Sequence, residues 1–284
     1  MEYTQEYLDV AGERLGLQSY PLPDGAPVVV IFPAMGVPAR YYRHFAAELA
    51  SAGLGVLVTD LRGTGSSTPA PSRRSRYGYP DLTADVGAIL DLPALKGRTV
   101  FLLGHSLGGQ ACVQYLAGHP DAPVAGLILV AVGLPYFRTY GRLALGVFAY
   151  TQSIAAITAL LRIWPGWGFG GKQARGVIRD WGYTGRHGRF RHVDDAAVAQ
   201  VRTPILTVTV DHDQYTPAPT MDHLCGKLTG APIERMHYTT AEAGQPLDHF
   251  TWVRASGPLV ARIARFVGGV TARISGGTHS GEAR

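Results

Sequence analysis

Cysteine is nearly missing from this chain of 284 residues, which has only Cys112 and Cys225. Two cysteines build no disulfide framework, and these two lack metal-ligand spacing. Charge is sparse as well: charged residues are 17% of the chain and apolar ones 46%, enough core material to exclude wholesale disorder. No internal repeat is present. The opening Met1-Glu2-Tyr3-Thr4-Gln5-Glu6 is polar and acidic, without the pattern of a secretory signal, so a cytoplasmic protein is expected.

Acidic side chains are scarce in one place. Residues 137–193 hold nine basic side chains (Arg138, Arg142, Arg162, Lys172, Arg175, Arg179, Arg186, Arg189, Arg191) and one acid, Asp180. The rest of the chain has 17 basic and 20 acidic residues, so the formal net charge of +5 belongs to that segment. No nucleic-acid recognition motif accompanies it, and nucleic acid is not an expected partner. Within it, Leu143 to Leu161 is 19 residues without a charge, near the length of a membrane span. Tyr150, Thr151, Gln152, Ser153 and Thr158 interrupt its apolarity, so a buried or pocket-lining helix is expected there, without membrane contact.

Along the rest of the chain, strand-like and helix-like patterns alternate. Glu6–Val10 and Arg14–Tyr20 read as an opening hairpin. Val28–Phe32, Gly55–Thr59, Thr99–Leu103, Val124–Val132, Ile205–Val210 and Ile233–His237 read as strands with helices between them. Continuous apolar strands separated by helices point to an α/β fold with a mostly parallel sheet covered on both faces. The rhythm breaks between Gly133 and Val201, a stretch with three of the four tryptophans. The expected organisation is a core of residues 1–132 and 202–268, a lid insertion over 133–201, and a Gly/Ser/Thr-rich flexible tail over 269–284.

Gly104-His105-Ser106-Leu107-Gly108-Gly109 follows an apolar strand and precedes a helical pattern, the context of the G-x-S-x-G nucleophile elbow. Such a turn strains the serine backbone and holds its hydroxyl at a helix N-terminus, where developing negative charge is favoured. A serine hydroxyl needs a base and an orienting acid, expected in the chain order Ser, Asp, His. Two aspartates compete after the strand Ile205–Val210: Asp211, at the turn, and Asp213, within the loop and favoured on that position. Among ten histidines, His249 lies in a loop before the last helix and is the candidate base. Oxyanion donors are expected from the N–H of Leu107 and from the loop Phe32-Pro33-Ala34-Met35-Gly36, with Met35 the candidate and Ala34 the alternative.

These residues, from Val28 to about Val267, resemble the α/β-hydrolase superfamily. Asp60-Leu61-Arg62-Gly63-Thr64-Gly65-Ser66 is similar to its D-x-R-G-x-G-x-S segment. Gly36-Val37-Pro38-Ala39-Arg40-Tyr41-Tyr42 and Arg179-Asp180-Trp181 resemble a bacterial group near the serine-aminopeptidase and monoglyceride-lipase branch. The resemblance implies an eight-stranded sheet, a Ser106–Asp213–His249 triad and a helical lid. The expected activity is serine hydrolysis of an ester or related acyl bond in a small, largely apolar substrate, with no metal or other cofactor. Tyr136, Trp181 and Phe250 are the candidate substrate contacts. Acyl-CoA or carrier-protein thioester hydrolysis, acyl transfer, and a non-enzymatic small-molecule receptor on the same fold are the alternatives. Nothing in the sequence specifies the oligomeric state.

Overall fold

Strand residues send alternate side chains into two helical layers, which explains why the strands read as unbroken apolar runs. The computed structural model describes residues 2–277. In chain order the elements are β1 (Thr4–Val10), β2 (Glu13–Ser19), β3 (Val28–Phe32), α1 (Arg43–Ser51), β4 (Gly55–Thr59), α2 (Tyr79–Leu90), β5 (Val100–His105), α3 (Leu107–Gly118) and β6 (Gly126–Val130). The insertion carries a 3-10 helix (Phe137–Leu143), α4 (Ala144–Leu161), β7 (Ile163–Trp164), β8 (Gln173–Ala174), α5 (Arg175–His187) and α6 (Asp195–Ala199). Then come β9 (Ile205–Val210), α7 (Ala218–Cys225), β10 (Ile233–Tyr238), α8 (Thr240–Ala243) and α9 (Gly257–Gly277).

Eight strands form one sheet in the order β1-β2-β4-β3-β5-β6-β9-β10. The pairs β1–β2 and β2–β4 are antiparallel, and every other pair is parallel. On β3, Val28, Val30 and Phe32 face one core with Val86 and Ile89 of α2 and Ala111 and Val113 of α3. Val29 and Ile31 face the other core, with Phe45 and Leu49 of α1 and Leu259 and Ile263 of α9. β7 and β8 make a separate two-stranded ribbon inside the insertion.

The connection leaving β3 runs through α1 to β4 on one side, and that leaving β5 runs through α3 to β6 on the other. The loops after β3 and β5 therefore diverge, opening a crevice at the carboxyl ends of the strands, the usual place for a ligand in such sheets.

One expectation needs correction. The flexible tail does not begin at residue 269: a 3-10 turn (Thr251–Arg254) precedes α9, which runs to Gly277. Residues 269–277 are thus helical rather than a flexible tail, because Phe266, Val267 and Val270 keep a helical spacing and stay buried on the core. The remainder of that expected tail, 278–284, lies outside the described residues. Of the two readings of α4, pocket-lining holds and buried does not. It buries only Thr151, Ile154 and Thr158, while Leu145 and Leu160 are 79% and 83% exposed. Among the described residues, the segment Phe137–Leu161 is the one long and apolar enough to cross a membrane by length and composition.

Candidate active site

The strand–turn–helix at β5–α3 places Ser106 at φ 52°, ψ −118°, in a region that non-glycine residues enter only under strain. Two glycines permit the turn. A Cβ at Gly104 would lie 2.1 Å from the Gly109 Cα, and one at Gly108 would lie 2.2 Å from the Phe32 carbonyl oxygen. Both contacts are with backbone, so no rotamer change relieves them. The turn sets Ser106 at the N-terminus of α3, facing the crevice.

The acid and the imidazole meet on neighbouring loops. His249 Nδ1 lies 2.9 Å from Asp213 Oδ2, with both side chains almost fully buried. Backbone N–H groups of Tyr215 and Thr216 donate to Asp213 Oδ1 at 2.9 and 2.8 Å. The Thr216 hydroxyl lies 2.7 Å from Asp213 Oδ2, 2.9 Å from the Ala131 carbonyl oxygen and 3.3 Å from His249 Nδ1. A carboxylate held this way can only accept, so His249 carries its proton on Nδ1 and leaves Nε2 free as a base. Asp211 is engaged elsewhere: it accepts from the Thr240 N–H at 2.7 Å and pairs with His237 at 2.8 Å. Those contacts hold its carboxyl below the ordinary range. No hydrogen bond among the described residues joins Ser106 to His249; the two side chains line one cavity.

A second buried pair lies behind this one. The Ala34 N–H donates to the Tyr42 hydroxyl at 3.0 Å, and that hydroxyl lies 2.6 Å from His105 Nδ1. With its oxygen already accepting, Tyr42 donates its own proton, so His105 Nδ1 is the acceptor. Ala34 is thereby removed as an oxyanion donor. Among the described residues, the N–H groups of Met35 and Leu107 have no protein acceptor. The His105 ring packs against that of His249 at 4.9 Å between centroids.

Burial, reinforced by the nearby His249, pushes the His105 pKa well below its ordinary 6.5. The unfolded chain therefore takes up this proton far more readily than the folded one. Stability is complete above pH 6.5 and falls as the pH drops below it, with a limiting slope of about 1.4 kcal/mol per pH unit. The urea midpoint is expected to fall between pH 7 and pH 5, and to fall less in His105→Gln. Equal losses in the two proteins would remove His105 as the cause.

A family model described as the alpha/beta hydrolase fold matches residues 27–169, just over half of the chain. The chain belongs to the α/β-hydrolase family. The AB hydrolase superfamily protein YisY of Bacillus subtilis is 28% identical over 136 residues, which are 47% of this chain and 45% of that one. Epoxide hydrolase A of Mycobacterium tuberculosis is 35% identical over 134 residues, 46% of this chain and 40% of the relative. The chain thus spans under half the length of these curated relatives. Among solved structures, mouse alpha/beta hydrolase domain-containing protein 10 superposes with a TM-score of 0.64 at 14% identity, over 95% of this chain and 99% of the other.

In this α/β hydrolase the crevice is a cavity of about 510 Å³, and the insertion supplies one wall. Val147, Tyr150 and Thr151 of α4, Phe169 of the following loop and Trp181 of α5 face Ser106, Met35, Leu107, Tyr215, His249 and Phe250. Phe169 packs on Trp181 at 4.8 Å and Tyr215 on Phe250 at 5.6 Å between ring centroids. His249 is the one ionisable group in the lining besides phenols.

Of the three candidate substrate contacts, Trp181 and Phe250 line this cavity and Tyr136 does not. Its ring packs on His223 at 5.2 Å and on Phe137 at 5.2 Å, away from the cavity. Tyr140, one helical turn later, lines the cavity instead and donates its hydroxyl proton to the Tyr215 carbonyl at 2.6 Å. The reason is local: residues 137–143 form a 3-10 helix that turns Tyr136 toward α7. Thr216 and Tyr42 also escaped the sequence reading. Thr216, three residues past Asp213, had a signal in the turn-forming Asp-x-x-Thr spacing; Tyr42 stood in a stretch quoted for its resemblance, with no role attached. Among the described residues no group of three or more His, Cys, Asp or Glu side chains is placed to hold a metal ion.

Proposed function

We propose that this chain is a serine hydrolase that cleaves an ester or related acyl bond of a small, largely apolar substrate through an acyl-enzyme. The observation that carries the reading is the buried Asp213–His249 hydrogen bond, on the same cavity as a strained serine at a helix N-terminus. Ser106 Oγ attacks the substrate carbonyl while His249 Nε2 takes its proton. The resulting oxyanion accepts from the Met35 and Leu107 N–H groups, which are already oriented and cost no rearrangement. Collapse breaks the bond to the leaving oxygen, which takes the proton back from His249. Water, deprotonated by the same imidazole, then releases the acid and regenerates Ser106. Asp213 keeps the imidazole in the useful tautomer throughout.

Chemistry at Ser106 argues against the epoxide opening named for one relative. A serine oxygen that opened an epoxide would form an ether, which this site has no means to hydrolyse, whereas an acyl ester on serine turns over. The basic side chains of the insertion do not line the Ser106 cavity, so they lend no support there to an anionic acyl carrier.

Fluorophosphonate labelling tests the proposal. Wild type should be labelled stoichiometrically and Ser106→Ala not at all, with p-nitrophenyl ester turnover lost in parallel. A folded wild type that takes no label would leave a ligand-binding hydrolase fold without the chemistry.

A further inference from the structure

Four of the insertion's nine basic side chains, joined by Arg76 from outside it, gather on a second concavity, on the far side of α4 from Ser106. Thr151 of α4 faces the Ser106 cavity, while its neighbour Gln152 faces this one, of about 650 Å³. Arg76, Arg175, Arg179, Arg186 and Arg191 line it together with Tyr183, and no acidic side chain does. We infer that this concavity between α4 and α5 is a binding site for a phosphate-bearing anion.

Helix stability does not explain the arrangement. Arg175, Arg179 and Tyr183 follow at four-residue intervals along α5, with Arg186 three residues further, so they form one stripe on one face. Like charges at that spacing repel, and Arg175 is the first residue of the helix, where a cation opposes the helix dipole. Nor are the charges cancelled internally. Arg179 and Arg191 share Asp180, but among the described residues Arg76, Arg175 and Arg186 form no ion pair. Arginines on a convex surface would be dispersed in solvent; here they converge on a hollow.

The chemistry selects phosphate. A carboxylate presents two oxygens and satisfies one guanidinium fork, whereas a phosphate presents three or more and bridges several. The hollow, of about 650 Å³, has room for one phosphate-bearing group. Two sources of that group fit: a soluble phosphorylated compound, or a phospholipid head group, since the same helix α4 exposes Leu145 and Leu160.

The test measures inorganic pyrophosphate binding by calorimetry, and co-sedimentation with phosphatidylcholine vesicles containing or lacking phosphatidic acid. Both use wild type and the Arg175→Glu/Arg186→Glu variant, with Arg175→Gln/Arg186→Gln replacing it if charge reversal prevents folding. Wild type is expected to bind one probe at least tenfold more tightly than the variant, with ester turnover unchanged between them. Pyrophosphate binding assigns a soluble phosphate compound; binding only to vesicles with phosphatidic acid assigns the lipid head group. If neither probe binds, or the variant binds as well as wild type, the site does not exist. The Ser106 chemistry is untouched by either result.

Discussion

Asp213→Asn is expected to lower p-nitrophenyl ester turnover by about 10⁴-fold, as loss of the orienting acid does in a Ser–His–Asp arrangement, with little change in KM. An asparagine amide can donate to His249 Nδ1, and an imidazole that accepts there carries its proton on Nε2, where it cannot take one from Ser106. The Tyr215 and Thr216 N–H groups would still hold the side-chain oxygen, so the geometry survives while the tautomer is wrong. Asp211→Asn should change turnover by less than about tenfold, because that carboxylate serves His237 and the Thr240 N–H at the sheet edge. Steady-state kinetics on both variants decide the matter. A larger loss in Asp211→Asn than in Asp213→Asn would overturn the assignment of the acid.

That pair of aspartates marks where sequence reading stopped. Both follow the same strand, and loop position favoured Asp213 without resolving the choice; the partner histidines are 36 and 26 residues further on. Only the fold brings each to its own aspartate. The strands were legible because both sheet faces are covered, making each an apolar run. The elbow was legible because Gly104 and Gly108 are dictated by backbone contact within a few residues. The insertion was much less so. Apolar residues fall on every side of α4, so no face of that helix announces which neighbour it meets. Tyr136 and Tyr140 are equivalent as letters and are separated only by how the 3-10 helix turns. In the last helix the signal existed: Leu259, Ile263, Phe266 and Val270 keep a helical period through glycines that suggested a tail.

Asp180 was legible as the single acid in a basic stretch and as part of a resemblance, without a role, and its replacement by alanine is expected to destabilise the protein by about 3 kcal/mol, the upper range for a hydrogen bond to a charged group. Helix α2 begins after Gly78, which has no side chain to cap it. Its first N–H, on Tyr79, donates instead to Asp180 Oδ2 at 3.0 Å, across 101 residues of sequence. A side-chain Cβ at position 78 would lie 2.5 Å from that same oxygen, so the bare N-cap makes room for the insertion's carboxylate. Arg179 and His192 also contact Asp180, but both are partly exposed and water would take over much of their stabilisation. The loss therefore falls mainly on the buried N–H and on the docking of α5 against α2. It should reach the cavity as well, because the Tyr79 hydroxyl donates to Gln110 Oε1 at 2.8 Å and Gln110 lines the Ser106 cavity. Asp180→Ala is thus expected to lower the urea midpoint and raise KM for apolar esters, while Asp180→Asn, which keeps an acceptor for Tyr79, recovers most of the KM effect. If Asp180→Ala unfolds at the wild-type midpoint, the carboxylate does not dock the insertion onto the core.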